Sequence, residues 1–378
     1  MRGFPMRPYI IDTTLRDGMQ APGVVFSRRE RMTIARMLDE FGVDEIEAGV
    51  PAMGKGEQED ILAVARLNLS CRLTVWCRAD KADIDAAEQC NTGSIHISFP
   101  VSKILLSTIG KNEGWLFSSC ETLVSHAAER FGFVSVGGQD STRADPLLVR
   151  RFARLAGQCG AQRFRIADTV GIATPPDVIA ILRILKKPGM PPLEFHAHND
   201  LGMASANAYT AVKNGASAAR VTVNGLGERA GNAALEAVVM ALQTVSPSST
   251  SKFNLKLLPK LCEYVSKASG RPLGRSKPVV GEGIFDHESG IHCAALMKNP
   301  KSYQPFLPRE IGKKAFNFVI GYHSGSSSIM NALKSMGIKT GKIEAGMMVE
   351  RVREAARKKK RGLRLDELKG KYKKTGFK

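Results

Sequence analysis

A chain of 378 residues with 43% apolar content can bury a large core, and no run of about 18 apolar residues in it offers a membrane span. The basic start MRGFPMRPYI lacks the apolar stretch of a secretory signal, and the seven cysteines form no C-x-x-C pair, so reduced thiols and a cytoplasmic location are expected. The formal charge of +19 favours anionic partners, but its bases gather in RVREAARKKKRGLRLDELKGKYKK without an aromatic stacking signature, which reads as a solvated basic helix and tail and not as a nucleic-acid site.

Short runs rich in β-branched residues then follow one another along the chain. They are YIIDTTL, EIEAGV, RLTVWC, SIHISFPV, FVSVGG, RFRIADTV, LEFHAH and ARVTVNGL. Helical periodicity fills stretches between them, among them 28–41, 146–159, 176–186 and 201–214. Strands alternating with helices imply right-handed crossovers and a parallel sheet, and eight units over roughly 240 residues match a closed (β/α)8 TIM barrel. An open doubly wound sheet is the alternative, weakened because no G-x-G-x-x-G follows the first strand. The rhythm ends after a helix near 233–243. The expected organisation is therefore a catalytic barrel at 1–245, a serine-rich linker at 246–254 and a smaller, mainly helical region at 255–378.

In such a barrel the reactive groups come from the C-terminal ends of the strands. Those ends carry Arg16, Asp17 and Gln20, then Glu47, Arg78, Gln139, Asp140, Asp168, Thr169, the stretch FHAHND and Asn224 with the loop GLGERAGN. Residues two apart on a strand share a face, so His196 and His198 both aim into the barrel mouth, where Asp17 can add an oxygen ligand. Two imidazoles, a carboxylate and open positions suit a divalent metal ion acting as a Lewis acid. Blander readings stand beside these: RDG as a turn, Arg78 as a surface cation, Thr169 as a cap, and the glycines of NGLGERAGN as loop-shapers. His96, within a strand, and His126, within a helix, read as structural.

The segments DTTLRDGMQAPGVVFS, IEAGVPAMG, ADTVG, FHAHNDLGMASANA, TVNGLGERAGNAALE and HESGIH resemble the homocitrate synthase and isopropylmalate synthase family of DRE-TIM metallolyases. The resemblance runs from about Tyr9 to Gly341, and GVPAMG, TVWCRAD and SFPVS are most like the homocitrate synthases of nitrogenase cofactor assembly. It implies a Claisen-type condensation of acetyl-CoA with 2-oxoglutarate, then thioester hydrolysis to homocitrate and CoA. Matched position by position, Asp17, His196, His198 and Asn232 become metal ligands, Arg16 the catalytic arginine, Glu47 its support and Thr169 a substrate contact. Gln20 is a further substrate contact, and Arg78 is the candidate anchor for the distal carboxylate of 2-oxoglutarate. His292 and Tyr303 resemble the pair that completes the site from a second subunit, with His287 and His323 as alternatives, so a homodimer with exchanged C-terminal regions is implied.

The pattern departs from the family in two places. Met19 stands where the family reads glutamate in RDGEQ. Gln139 stands where it reads glutamate before aspartate, and an amide hydrogen-bonds but does not exchange a proton as a carboxyl does. The segment HCAALMK starting at His292 is also less polar than in close relatives, and no leucine-sensing regulatory domain is expected at this length. An isopropylmalate or citramalate synthase remains the alternative enzyme, and a catalytically impaired paralogue with a binding role the alternative of another class.

Overall fold

The computed structural model describes residues 8–245, 252–315 and 317–376. The chain divides into two compact units, Met1–Leu273 and Gly274–Lys378. In the first, strands β1 (Tyr9–Asp12), β2 (Glu45–Glu47), β3 (Arg72–Arg78), β4 (Ser94–Pro100), β5 (Phe133–Gln139), β6 (Arg163–Asp168), β7 (Leu193–Ala197) and β8 (Ala218–Val221) form a closed parallel barrel in sequence order. β8 closes on β1 with Tyr9 opposite Ala218 and Asp12 opposite Val221. The expected TIM barrel is the fold, and the open sheet is excluded.

Helices α1 (Arg28–Phe41), α2 (Lys55–Ala65), α3 (Lys81–Glu88), α4 (Lys103–Thr108), α5 (Glu113–Ala128), α6 (Pro146–Gln158), α7 (Pro175–Leu185), α8 (Ala204–Lys213), α9 (Leu235–Val245) and α10 (Leu258–Ser269) complete this unit. Their starts follow local chemistry: Ser27 and Glu30 form a reciprocal capping box at α1, and Asp145 caps α6 ahead of Pro146. α8 begins at Ala204, later than the periodicity suggests. Gly202 adopts a left-handed conformation (φ 75°), and Asn199 Oδ1 accepts from the Ala204 amide at 3.1 Å, so 199–203 is loop.

The strands alternate apolar residues toward the helices with charged residues toward the barrel axis: Glu45 and Glu47 flank Ile46, Arg163 and Arg165 flank Phe164, and Glu194 and His196 flank Phe195. Where many barrels stack aliphatic side chains, this interior is an ion network. Arg163 reaches Glu45 (2.8 Å) and Glu194 (2.7 Å), Arg165 reaches Glu194 (2.6 Å) and Glu47 (3.1 Å), and Arg220 reaches Glu47 (2.5 Å) and Glu194 (3.1 Å). Glu47 and Glu194 each face at least two guanidiniums, which offsets the cost of removing these charges from water.

Of the expected linker, residues 246–251 lie outside the described residues. Beyond them the chain returns to the barrel unit: Phe253 stacks on Phe41 at 5.3 Å, and the Asn254 amide donates to the Phe41 carbonyl at 2.9 Å. The apolar face of α10 follows, which carries the first unit on to Leu273.

In the second unit a short parallel pair, β9 (Asp286–His287) and β10 (Asn317–Phe318), accompanies helices α11 (Gly290–Lys298), α12 (Ser326–Ser335), α13 (Lys342–Lys359) and α14 (Leu365–Lys373). Ile329, Leu333, Met348, Val352, Leu368 and Tyr372 form the core of the last three helices. The basic run closes α13 and continues over α14, mostly exposed. All seven cysteines are free thiols. Among the described residues no helix is long and apolar enough to cross a membrane.

Candidate active site

Asp17 leaves the end of β1 in a tight turn in which the Thr13 carbonyl accepts the amides of both Arg16 and Gly18 at 3.1 Å. The turn carries the Asp17 carboxylate to the histidines of β7. Its Oδ2 lies 3.2 Å from His196 Nε2 and 3.5 Å from His198 Nε2, and all three residues are buried. Their donor atoms fall within 4.8 Å of one another.

The surroundings prepare these atoms for a cation. His198 Nδ1 lies 3.3 Å from the Asp168 carbonyl, a contact that requires the proton on Nδ1 and leaves the Nε2 lone pair facing Asp17. Burial pushes the His196 imidazole down to about 3, against the pull of Asp17, so it is neutral. The Arg16 guanidinium holds the Asp17 carboxyl well below its ordinary range despite burial. Asn232 is joined to His198 by an antiparallel bridge and gives its amide hydrogen to the Leu226 carbonyl at 3.0 Å, which leaves Oδ1 as the free end. Asp17 Oδ2, His198 Nε2 and Asn232 Oδ1 are each buried without a hydrogen bond of proper geometry. A divalent metal ion held by Asp17, His196, His198 and Asn232 would satisfy all three orphaned atoms, so the residues present fit the ion the sequence implied.

Arg16 is fixed from three sides. Its Nε donates to Glu47 Oε2, its Nη1 sits 3.2 Å from Asp17 Oδ1, and its guanidinium lies 5.5 Å from the centre of the Trp76 ring. Glu47 also accepts from Thr13 Oγ1 at 2.9 Å and pairs with Arg165 and Arg220. These three guanidiniums keep its carboxyl ionised, well below the ordinary range. Glu47 therefore acts beneath the site, as a brace for Arg16.

Arg16, Asp17, Gln20, Gln139, Thr169, His196 and His198 line one cavity of about 230 Å³ at the C-terminal ends of the strands. Thr169 Oγ1 accepts the Asp140 amide at 2.8 Å, so its own proton is free to donate elsewhere. Gly137 and Gly138 form part of the wall, and a side chain at Gly137 would lie 2.6 Å from His96 Nε2. His96, on β4, is a buried core residue bonded to Ser135, and His126, on α5, pairs with Asp85 at 2.9 Å.

Arg78 is not in this group. Its side chain turns to the surface and forms a two-pronged pair with Asp83 (2.7 and 2.9 Å), beside a neighbouring cavity of about 290 Å³ lined by Trp76, Trp115 and Ile109. Asp83 lies only five residues away at the first turn of α3, so the local partner wins. His292 and Tyr303 belong to the second unit, where their rings lie 4.1 Å apart and both are exposed. His287 approaches the side-chain amide of Gln304 at 3.3 Å, and His323 follows Tyr322 in a loop.

Trp76, Ser98, Arg165, Glu228 and Arg229 are among the cavity residues that the sequence did not single out. Arg165 carried a signal, since RFR sets two charges on the inward face of an otherwise buried strand.

Residues 7–265 match the family described as HMGL-like, and residues 279–360 match the homocitrate synthase post-HMGL domain-like family. The chain is 43% identical to homocitrate synthase 1 of Nostoc sp. over 95% of each chain. It is 42% identical to 2-isopropylmalate synthase 2 of Caldanaerobacter subterraneus subsp. tengcongensis over 94% of this chain and 92% of that one. An (R)-citramalate synthase of Methanocaldococcus jannaschii is 37% identical over 91% of this chain and 70% of its own. Among solved structures, the HMG-CoA lyase of Bacillus subtilis shares the fold with a TM-score of 0.64 at 19% identity, covering 73% of this chain and 98% of its own. A buried Asp-His-His cluster beside a braced arginine, on a barrel with these relatives along nearly its whole length, leads to one assignment: the chain belongs to the HMGL-like family, in the group of transferases that holds the homocitrate, 2-isopropylmalate and citramalate synthases.

Proposed function

We propose that the protein condenses acetyl-CoA with 2-oxoglutarate and hydrolyses the resulting thioester, releasing homocitrate and CoA. The observation that carries this reading is the convergence of Asp17, His196 and His198 within one buried corner beside Arg16. A divalent ion bound there supplies a Lewis acid for the keto oxygen of a 2-oxo acid. The chain's own residues do the rest. Arg16, ionised and braced by Glu47, faces the negative charge that develops on the keto oxygen as the new carbon–carbon bond forms. The Thr169 hydroxyl donates to the substrate carboxylate, and Gln139 hydrogen-bonds within the cavity.

A base removes a proton from the acetyl methyl group, and the carbon so exposed attacks the keto carbon. The alkoxide then takes up a proton, and water cleaves the thioester to a carboxylate and free CoA thiol. With an amide at position 139, the proton transfers fall to His292 and Tyr303, contributed in a homodimer by the second copy. Exposed Val25, Met53, Ile172 and Leu201 on the loops around the cavity mouth support a covering partner of that kind. The reaction is assigned to the cytoplasm.

One observation favours a second reading, with an apolar 2-oxo acid. Each guanidinium near the cavity already faces a carboxylate: Arg16 has Glu47, Arg165 has Glu47 and Glu194, Arg229 has Asp200 and Arg78 has Asp83. A distal carboxylate of 2-oxoglutarate must compete for one of them. Thiol release from acetyl-CoA, measured with 2-oxoglutarate, 2-oxoisovalerate and pyruvate, with and without added divalent metal, decides the matter. Metal-dependent preference for 2-oxoglutarate supports the first reading, preference for either other acid replaces it with the second, and no turnover with any acid removes both.

A further inference from the structure

The loop GLGERAGN contains a cavity-lining arginine that the proposed chemistry leaves unused. Arg229 presents its guanidinium edge to Asp200, with Nε 2.8 Å from Oδ1 and Nη2 3.0 Å from Oδ2. The same Nη2 donates to the Thr169 carbonyl at 2.7 Å. One planar group on the loop after β8 thus binds the loop after β7 and the loop after β6 together. No other side chain described at the mouth joins three of the βα loops.

The three loops meet without slack. Gly171 has a left-handed backbone (φ 65°), and a side chain there would collide with the Asp200 carboxylate and come within 3.0 Å of the His198 carbonyl. The Asn199 amide donates to the Gly231 carbonyl at 2.9 Å, next to Asn232. Arg229 itself is held at φ 51°, a region that residues with side chains occupy when their surroundings over-determine them. Its side chain is 41% exposed, so the pair adds little to global stability. What the pair fixes is local: the carbonyl of Thr169, a residue that lines the cavity, and the segment that follows His198.

We propose that Arg229 is a positioning residue, a latch that acts through Asp200 and the Thr169 carbonyl to hold the substrate-contacting hydroxyl and the histidine loop in register. The part of this inference that concerns substrate rests on the function proposed above, whereas the latch itself does not.

The test compares Arg229→Gln, Asp200→Asn, the double variant and Arg229→Lys in the full-length protein. Hydrogen exchange read by mass spectrometry follows segments 168–173 and 199–204, and steady-state thiol release gives KM and kcat for the 2-oxo acid. Both single variants are expected to raise exchange in the two segments, leave the rest of the barrel protected, and raise the KM of the 2-oxo acid about tenfold with a smaller change in kcat. The double variant should be no worse than either single one, and lysine should not rescue, because an ammonium lacks the planar fork that spans two acceptors.

An effect of Arg229→Gln with none of Asp200→Asn would overturn the latch in favour of direct substrate contact. Loss of protection throughout the barrel, or no change in either segment, overturns it as well. If the parent enzyme turns over no 2-oxo acid, the functional reading fails, and exchange alone decides the latch.

Discussion

His198 and Asp168 meet through a ring nitrogen and a backbone carbonyl 3.3 Å apart, and that contact fixes the imidazole tautomer that points a lone pair at Asp17. A chelator should therefore abolish thiol release, and added divalent metal should restore it, with the far-ultraviolet circular dichroism unchanged throughout. His198→Ala removes one of the two imidazoles, and Mn²⁺ affinity measured by calorimetry should fall about 100-fold or more, beyond the range typical of outer-shell changes. Unaltered Mn²⁺ affinity in this variant would place the metal elsewhere.

Beneath the site, Glu47 is the hub of a buried charge layer. Glu47→Gln leaves the Arg16, Arg165 and Arg220 guanidiniums short of an anion, and unfolding in urea should show a loss of about 3–5 kcal/mol at neutral pH. Thr13→Ala, which removes one hydroxyl hydrogen bond to the same carboxylate, should cost less, about 1.5–3 kcal/mol. Equal losses in the two variants would show that the ion network is not what holds Glu47.

The same layer sets a pH dependence. Glu194 is fully buried, and despite that its carboxyl is drawn down to about 2 from an ordinary 4.5 by Arg165, Arg163 and Arg220. A carboxyl lowered in the folded state contributes stability in full above its unfolded value and loses it as pH falls toward the folded value. The stability that Glu194 contributes should be flat from pH 7 to about 5 and fall steeply between about 4.5 and 2, with Glu47 acting in the same direction. A urea midpoint that did not move across pH 5 to 3 would contradict this.

The parts of the site legible in the sequence are those that follow from local rules. His196 and His198 share a face because they are two apart on a strand, and Asp17 and Thr169 lie at strand ends because the eight-fold alternation identifies those ends. The barrel's charged interior was not legible, since Arg220 and Glu47 meet across 173 residues and Arg163 and Glu45 across 118. Periodicity marks which face a residue occupies but not what stands opposite. Arg78 is the converse case: the pattern sets it at a strand end, and nothing in that pattern marks its partner Asp83, five residues on.

That pairing yields a prediction. Because Arg78 is mostly exposed and engaged with Asp83, Arg78→Ala should change the KM for the preferred 2-oxo acid by about twofold or less, in line with a surface pair of small energetic weight. A tenfold rise confined to 2-oxoglutarate, absent with pyruvate, would instead show the side chain leaving Asp83 to take the distal carboxylate.

Gln139 is the position at which catalytic power is most open to change. It ends β5, its backbone carbonyl accepts the Val101 amide at 3.1 Å, and its side chain borders the cavity together with Thr169 and His198. An amide there can orient a substrate but can neither take nor return a proton. Gln139→Glu restores an exchangeable proton with almost no change in shape. The turnover number should rise by a factor of about 100, the lower end of what a positioned acid or base contributes. The gain should appear as a new rising limb in the pH profile of kcat as the introduced carboxyl ionises, while the KM of the 2-oxo acid stays near its parent value. A fall in kcat with unchanged pH dependence would mean that position 139 serves as a hydrogen-bond donor in this enzyme, and that its proton route does not pass through β5.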